Sequence, residues 1–168
     1  YPLANKFDEV DFLMVLDDVL IPWEDVFFYR HTKAAQYIRG TLHRYSAFAF
    51  IQRILKLADM LIGAALMNTR QTGLDRQQGV QEKLARLAVW REGINAHLSA
   101  CIALGEKSPA GLMMPNQSLL YAGRVLACSQ LPEMMTLTRE LCGGQLSMTP
   151  NASAFDAPET GPWLQKYY

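Results

Sequence analysis

Histidines and carboxylates are the side chains that most often hold metals in helical proteins. This sequence has three histidines, His31, His43 and His97. A di-iron bundle needs Glu-x-x-His pairs, because residues three apart share one helix face. Glu92 and His97 are five apart and point in different directions. The spacing argues against a di-iron site, and it serves zinc no better.

Nucleophilic catalysis needs a base beside the nucleophile and a third group that orients the base. Ser46 follows His43 by three residues without a third partner, and no Gly-x-Ser-x-Gly motif occurs. Asp17-Asp18 and Glu24-Asp25 are adjacent carboxylates. On a strand, neighbours point to opposite faces, so a solvated bend is favoured over an acid/base pair. We therefore assign no catalytic residue.

The glycine pair Gly143-Gly144 has two interpretations. Glycine after a helix commonly forms its C-terminal cap. Glycine also lets a backbone approach the phosphates of a cofactor, because it has no side chain. The residues alone leave both interpretations open.

The bulk properties are those of a packed domain with no net charge. The chain has 168 residues, half of them hydrophobic, and its 16 basic residues balance 16 acidic ones. That balance argues against nucleic-acid binding, and no apolar run reaches membrane-spanning length. Three widely spaced cysteines, an odd number, indicate reduced, buried thiols in a cytoplasmic protein: Cys101, Cys128 and Cys142. The start at Tyr1, without methionine and just before an apolar segment, predicts a cut end.

The apolar pattern changes its period along the chain. Residues 9–22 hold two short apolar runs around Asp17-Asp18, which predict two strands with a bend between them. Because two short strands are not stable alone, they either pair with residues outside this sequence, which we favour, or form a hairpin on the helices. Three helical stripes follow. The first covers Phe48–Ala65 and is capped by Gly73. The second is predicted from an N-cap at Asp75 to Gly105, and the third from an N-cap at Asn116 to Gly143-Gly144.

Two proline-rich stretches limit these helices. Ser108–Pro115 is predicted to be a loop, and Pro132 predicts a kink or restart in the third long helix. After Gly144, the prolines Pro150, Pro158 and Pro162 exclude a long helix. The predicted fold is mainly α, with three or four antiparallel helices, a short N-terminal β appendage and an extended tail.

Several segments resemble the 4-hydroxyphenylacetate 3-hydroxylase family, and they follow the expected order over almost the whole chain. They are Phe7–Asp11, Asp17–Val26, Tyr29-Arg30, Leu42-His43-Arg44, Val80–Leu84, Gly143-Gly144 and the proline-containing tail near Tyr167. The resemblance implies an acyl-CoA-dehydrogenase-like C-terminal helical bundle. It divides the chain into the end of a middle β-domain and connection (1–30), the helical bundle (31–145) and an extended C-terminal tail (146–168).

The resemblance also implies an activity for a larger chain. Members are similar to oxygenases that use reduced FAD, supplied by a separate flavin reductase, to hydroxylate a phenol ortho to its OH. It implies a cytoplasmic homo-oligomer, dimer or tetramer, built through the bundle, without nucleic-acid or membrane partners. The isolated 168 residues are expected to be inactive, because the aromatic site lies in preceding parts of the family's chain.

The same resemblance implies a set of cofactor contacts. Two arginines would meet phosphate, a glutamine would hydrogen-bond the cofactor, a glycine-rich segment would pass close to it, and the tail would add polar contacts. His43 would face the flavin, although a buried structural histidine is an equal alternative. Arg44 and Arg70 are otherwise solvated helix ends. The set is His43, Arg44, Arg70, Gln81, Gly143, Gly144, Gln145, Ser147, Thr149 and Asn151.

Two other functions stay open on this scaffold. One is a non-catalytic module for oligomerisation or docking. The other is an acyl-CoA dehydrogenase or a 4-hydroxybutyryl-CoA dehydratase. In the dehydratases a histidine and a cysteine seven residues later help to hold an iron–sulfur cluster. Here Phe50 follows His43 at that distance, and phenylalanine cannot ligate iron.

Overall fold

Three long helices make up most of the protein. The computed structural model describes residues 13–143 and 150–167. After a 3-10 turn at Trp23–Asp25, the elements are α1 (Thr32–Gly40), α2 (Leu42–Gln71), α3 (Gln78–Ala103), β1 (Glu106–Lys107), β2 (Met113–Met114), α4 (Gln117–Leu141), α5 (Ala152–Asp156) and α6 (Gly161–Tyr167). The predicted mainly α fold with three long helices is confirmed.

The chain forms two compact units. One is Arg30–Leu146, which holds the long helices, and the other combines Tyr1–Tyr29 with Ser147–Tyr168. The predicted boundaries of the helical bundle, between residues 30 and 31 and between residues 145 and 146, stay a prediction. In the described ranges, no helix combines the length and apolar character that crossing a bilayer requires.

The ends of the long helices follow from their capping residues. Gly73 has φ 71° and donates its N–H to the Arg70 carbonyl at 3.1 Å, while Leu74 donates to Thr69 at 2.9 Å. These two bonds are a Schellman motif, which confirms the predicted cap of α2. At α4, Asn116 Oδ1 accepts from the Leu119 N–H at 3.1 Å, also as predicted.

The predicted start of α3 at Asp75 is wrong. The Asp75 N–H donates to the Thr69 carbonyl at 3.2 Å, so this residue still belongs to the turn that closes α2. The N-cap position of α3 is Gln77 instead. The restart predicted at Pro132 does not occur either, because α4 continues through it to Leu141.

The three long helices form an up-down-up bundle. Helices α2 and α4 run parallel and α3 runs antiparallel to both, as cross-helix contacts at both ends show. The buried side chains form two clusters along the bundle axis. One contains Ala47, Ile51, Ile54, Leu55, Ile94, Leu98, Cys101, Leu120 and Ala127; the other contains Ala58, Ala65, Leu87, Met134, Leu137 and Leu141.

An ion pair joins α2 to α3 at the bundle surface. Arg91 Nε donates to Asp59 Oδ1 at 2.8 Å, and this hydrogen bond is the main reason that the pKa of Asp59 lies below its usual value. The same bond raises the pKa of Arg91. Arg91 interrupts the apolar stripe of α3 because it faces this carboxylate at the margin of the core.

The predicted N-terminal strands are wrong for the described part of that segment. Residues 13–22 contain no strand, and Leu13 and Leu20 are each 91% exposed. A strand needs a partner for its backbone hydrogen bonds, and this segment has none among the described residues. The bend at Asp17-Asp18 is present, with Asp18 at φ 49°. Residues 9–12 lie outside the described residues.

The described ranges hold strands elsewhere, in and beside the predicted loop. Strands β1 and β2 pair antiparallel, with Glu106 opposite Met114 and Lys107 opposite Met113. The tail is not extended throughout, because it contains α5 and α6. These helices have five and seven residues, so the prolines exclude a long helix as predicted. Pro162 lies in the first turn of α6, where a missing N–H costs least.

The three cysteines differ in exposure. Cys101 is buried, Cys142 is partly buried and Cys128 is exposed, and all three are free. The prediction of buried thiols is therefore wrong for Cys128. Burial raises the pKa of the Cys101 thiol, and it also raises the pKa of the Cys142 thiol.

Native thiol labelling is expected to follow this order. A maleimide reagent should modify Cys128 within minutes and leave Cys101 unmodified, because a buried thiol is inaccessible and mostly protonated. Peptide mass spectrometry of the labelled full-length protein, with and without denaturant, measures both. Equal labelling of the two cysteines in native protein would contradict the packing described above.

Candidate functional site

The predicted contact residues lie at two ends of the bundle. The first, here called the hairpin end, consists of the first turns of α2 and α4, the last turn of α3 and the β1–β2 hairpin. It contains His43 and Arg44. The second, called the Gly143 end, consists of the last turns of α2 and α4 and the first turn of α3. It contains Arg70, Gln81 and Gly143.

Arg44 is a buried residue at the hairpin end. Its Nη2 donates to Gln117 Oε1 at 2.6 Å, and its Nη1 lies 3.4 Å from the Pro115 carbonyl and 3.8 Å from a Glu106 carboxylate oxygen. Its Nε is buried without a partner in the described part of the chain. The alternative of a solvated helix end is wrong for Arg44. The guanidinium ties α2 to the hairpin and to α4, and its contact with phosphate stays a prediction.

Replacing Arg44 by methionine should destabilise the protein by about 2 kcal/mol, because Gln117 and the hairpin lose a charged donor. The melting temperature of the full-length protein measures this loss. Arg39→Met, at an exposed position of α1, is the matched control and should change stability by less than about 0.5 kcal/mol. Equal melting temperatures for the two variants would show that the Arg44 contacts contribute nothing.

His43 lies beside Arg44 but faces two other side chains. Its Nδ1 is 2.8 Å from the Tyr121 hydroxyl oxygen, and the two rings stack with centroids 5.7 Å apart. Its Nε2 is 3.1 Å from Arg124 Nη1. Arg124 also covers the Phe50 ring, 5.1 Å from its centroid. His43 is exposed and hydrogen-bonded, so the alternative of a buried histidine is wrong.

The sequence interpretation missed Tyr121 and Arg124. They are three residues apart on α4, a spacing that places both on one helix face. The pairing with His43 spans 78 residues, which no local pattern reveals. The other histidines have local partners: His31 Nδ1 accepts the Ala34 N–H at 2.8 Å as the α1 cap, and His97 Nδ1 lies 2.9 Å from the Gly93 carbonyl.

The Gly143 end brings three predicted residues together. Asn68 Nδ2 donates to the Leu141 carbonyl at 2.8 Å, and Lys83 forms an ion pair with Glu140. Arg70, Gln81 and Gly143 each lie two or three residues from one of these contacts, so they share this end. Arg70 and Gln81 are exposed, and their side chains form no hydrogen bond or ion pair with any described residue.

Gly143 serves as the cap of α4. It has φ 73°, and its N–H donates to the Glu140 carbonyl at 3.1 Å. The helix-cap interpretation of this glycine is therefore confirmed. A Cβ built here meets no atom within 4 Å, so the backbone conformation requires the glycine and the protein's own packing does not. The open space leaves the cofactor interpretation available.

The two ends are far apart. Arg44 and Arg70 are separated by 26 residues of one continuous helix, which corresponds to about 39 Å at the rise of an α-helix. One phosphate or diphosphate group therefore cannot contact both arginines of the same subunit. The predicted contacts form two groups within a chain.

The remaining predicted residues lie in or near the tail. Gly144, Gln145, Ser147 and Thr149 are outside the described residues. Asn151 is exposed at the N-cap position of α5, where its side chain makes no capping hydrogen bond. Its amide is therefore open to a partner, and its cofactor contact stays a prediction.

The donors at the Gly143 end fit the diphosphate part of a dinucleotide. Arg70 supplies a permanent cation and Gln81 an amide donor, both unused within the described chain. By contrast, the described residues contain no group of three or more metal-ligating side chains. These donors and the open Gly143 backbone suit an anionic organic cofactor.

The comparisons with known proteins identify relatives of this chain. The chain is 26% identical over 166 residues to the FADH(2)-dependent monooxygenase TftD of Burkholderia cepacia, covering 99% of this chain and 32% of that protein. It is 27% identical over 169 residues to the 4-hydroxyphenylacetate 3-monooxygenase oxygenase component of Thermus thermophilus, covering 99% and 35%. It thus spans about a third of the length of these relatives.

A solved structure shows the same fold. The 4-hydroxybutyryl-CoA dehydratase of N. maritimus superposes with a TM-score of 0.73 at 27% identity, covering 91% of this chain and 30% of that one. The acyl-CoA-dehydrogenase-like fold class is confirmed. The family model for the 4-hydroxyphenylacetate 3-hydroxylase C terminal matches residues 32–168. The chain belongs to the 4-hydroxyphenylacetate 3-hydroxylase family.

Proposed function

We propose that the full-length protein containing this chain is the oxygenase component of a two-component monooxygenase that hydroxylates a phenol ortho to its OH. The observation that carries this proposal is the Gly143 end, which holds Arg70 and Gln81, whose side-chain donors no described residue uses, and Gly143, whose backbone has open space around it. The family membership and the names of the relatives support it. The proposed cofactor is FAD, used in reduced form.

The cofactor supplies the two electrons of the reaction. One oxygen atom of O2 enters the aromatic ring and the other leaves as water, while the flavin returns to its oxidised state. Arg70 and Gln81 would hold the diphosphate, and the open space at Gly143 would admit it. The further cofactor contacts that we propose are Gly144, Gln145, Ser147, Thr149 and Asn151.

We also propose that each FAD is shared between two subunits of a homo-oligomer. The separation of about 39 Å between the ends supports this, because one subunit cannot use both groups on one cofactor. Sharing allows the hairpin end of one subunit and the Gly143 end of its partner to face the same FAD. In a two-fold dimer such an arrangement arises twice by symmetry.

Two partners follow from the two-component proposal. We propose that a separate flavin reductase delivers the reduced FAD, because the relative from Thermus thermophilus is named as the oxygenase component of its monooxygenase. A phenolic small molecule is the substrate. The three free cysteines support a reducing, cytoplasmic compartment.

Isotope labelling tests the proposal directly. The full-length protein is supplied with FAD, a flavin reductase, NADH, 4-hydroxyphenylacetate and 18O2, and the product is analysed by mass spectrometry. One labelled oxygen in an ortho-hydroxylated product is the expected result. A parallel assay supplies 4-hydroxybutyryl-CoA in place of the phenol. Turnover of this thioester without phenol hydroxylation would support the dehydratase alternative, and flavin binding without either reaction would support a non-catalytic module.

A further inference from the structure

At the hairpin end, the His43 cluster is the set His43, Tyr121 and Arg124. Tyr121 and Arg124 lie on one face of α4 and bracket the imidazole ring on the first turn of α2. His43 is exposed and Tyr121 and Arg124 are partly buried, so the cluster borders solvent in this chain. Tyr121 also packs against the apolar cluster that contains Ala47, Ile51 and Leu120.

The chemistry of the side chains fixes which atom donates and which accepts in each hydrogen bond of the cluster. Arginine has only donors, so Arg124 Nη1 must donate to His43 Nε2. A neutral imidazole that accepts at Nε2 carries its proton on Nδ1. His43 Nδ1 must therefore donate to the Tyr121 hydroxyl oxygen, 2.8 Å away. The reverse direction would place two N–H groups against each other at the Arg124 contact.

This direction leaves the Tyr121 O–H proton unused. The hydroxyl oxygen accepts from His43, and the described residues give its proton no acceptor. Stacking against His43 and the bond from Nδ1 restrict the position of the Tyr121 ring. Arg124 is itself held over the Phe50 ring. The cluster thus holds in place one hydroxyl group, on a partly buried side chain, whose proton has no acceptor among the described residues.

We propose that Tyr121 is a ligand-binding residue that donates a hydrogen bond to an oxygen acceptor of the flavin–phenol pair, with His43 and Arg124 as positioning residues. The acceptor is an oxygen of partial or full negative charge, either the phenolic oxygen or a flavin carbonyl. This inference rests on the proposed function, because it takes its ligands from there.

Kinetics of the full-length protein with its reductase test the inference. Tyr121→Phe removes the donor and keeps the ring. Tyr45→Phe is the matched control, since the Tyr45 hydroxyl already donates to the Met113 carbonyl at 2.9 Å. We expect Tyr121→Phe to raise KM for the phenol, or the Kd for reduced FAD, by about tenfold. A change in KM alone identifies the phenolic oxygen, and a change in Kd alone identifies the flavin carbonyl.

The positioning residues need a readout that a purely structural role would not move. Arg124→Met should reproduce the Tyr121→Phe defect, and Arg124→Lys, which restores a cationic donor, should recover part of it. The double variant Tyr121→Phe with Arg124→Met should be no worse than either single variant within about threefold, because both act through one hydroxyl. A lower melting temperature with unchanged KM and Kd would show a structural role only and overturn the inference.

The two proposals fail in different ways. If the wild-type protein hydroxylates a phenol while Tyr121→Phe behaves like Tyr45→Phe in KM and Kd, only the Tyr121 inference is wrong. If the wild type hydroxylates no phenol, the proposed function is wrong. The Kd for reduced FAD then still decides for or against Tyr121 as a flavin contact.

Discussion

Hybrid oligomers of two nearly inactive variants are expected to recover about half of the wild-type activity. One variant carries Arg70→Ala and Gln81→Ala at the Gly143 end, and the other carries His43→Ala at the hairpin end. Each should lose at least about tenfold in kcat/KM alone, because a charged or positioned hydrogen bond is removed. Each variant carries a different affinity tag, so that two successive affinity steps purify the hybrid.

The recovery follows from the separation of the two ends along α2. If each site takes its hairpin end from one subunit and its Gly143 end from the partner, a hybrid dimer has one doubly defective site and one intact site. Doubly tagged oligomers of a single variant are the control and should recover nothing. An inactive hybrid would show that both groups act on a site within one subunit, or that one group does not contact the cofactor.

Gly123→Ala should strongly destabilise the bundle. A Cβ built on Gly123 would lie 2.7 Å from the His97 Cβ and 3.6 Å from Ile51 Cδ1. The near atom belongs to the base of the histidine side chain, and the ring is held by the Gly93 carbonyl. Helix α3 or α4 must therefore shift. Such overpacking costs about 1–3 kcal/mol, so the melting temperature of the full-length protein should fall by several degrees.

Gly63→Ala is the matched control for that substitution. Gly63 also lies inside a long helix, but a Cβ there meets no atom within 4 Å. Alanine should stabilise α2 by up to about 1 kcal/mol, because it costs less backbone entropy than glycine. A lower melting temperature for Gly123→Ala and a higher one for Gly63→Ala would confirm the close contact between α3 and α4. If Gly123→Ala melts at or above the wild-type temperature, the close approach of α3 and α4 is wrong.

The sequence predicts those features that depend on neighbouring residues. Apolar spacing and the caps Gly73 and Asn116 specify two helix ends, because capping bonds form within a few residues. Helix α1 was not predicted as a separate element, because it has only nine residues and buries none of them. The predicted strands are absent from the described residues 13–22, because β-branched content favours a strand but only a pairing partner completes it.

The candidate site shows the same division. Arg70, Gln81 and Gly143 were found through the resemblance, and the fold places them at one end. The alternative that Arg44 is a solvated helix end failed because its contacts come from residues more than sixty positions away, namely Pro115, Gln117 and Glu106. Tyr121 and Arg124 were missed because an isolated tyrosine and arginine three residues apart are common on helices. Only the packing of α2 on α4 brings them to His43.

Anaerobic titration of the full-length protein with reduced FAD tests most directly whether the Gly143 end holds the cofactor. Arg70→Ala with Gln81→Ala should weaken binding at least about tenfold at an unchanged melting temperature, because both side chains are exposed and have no partner among the described residues. Arg76→Ala, in the exposed connection between α2 and α3, is the control and should bind like the wild type. Wild-type affinity in the double variant, or a wild-type protein that binds no reduced FAD, would contradict the account.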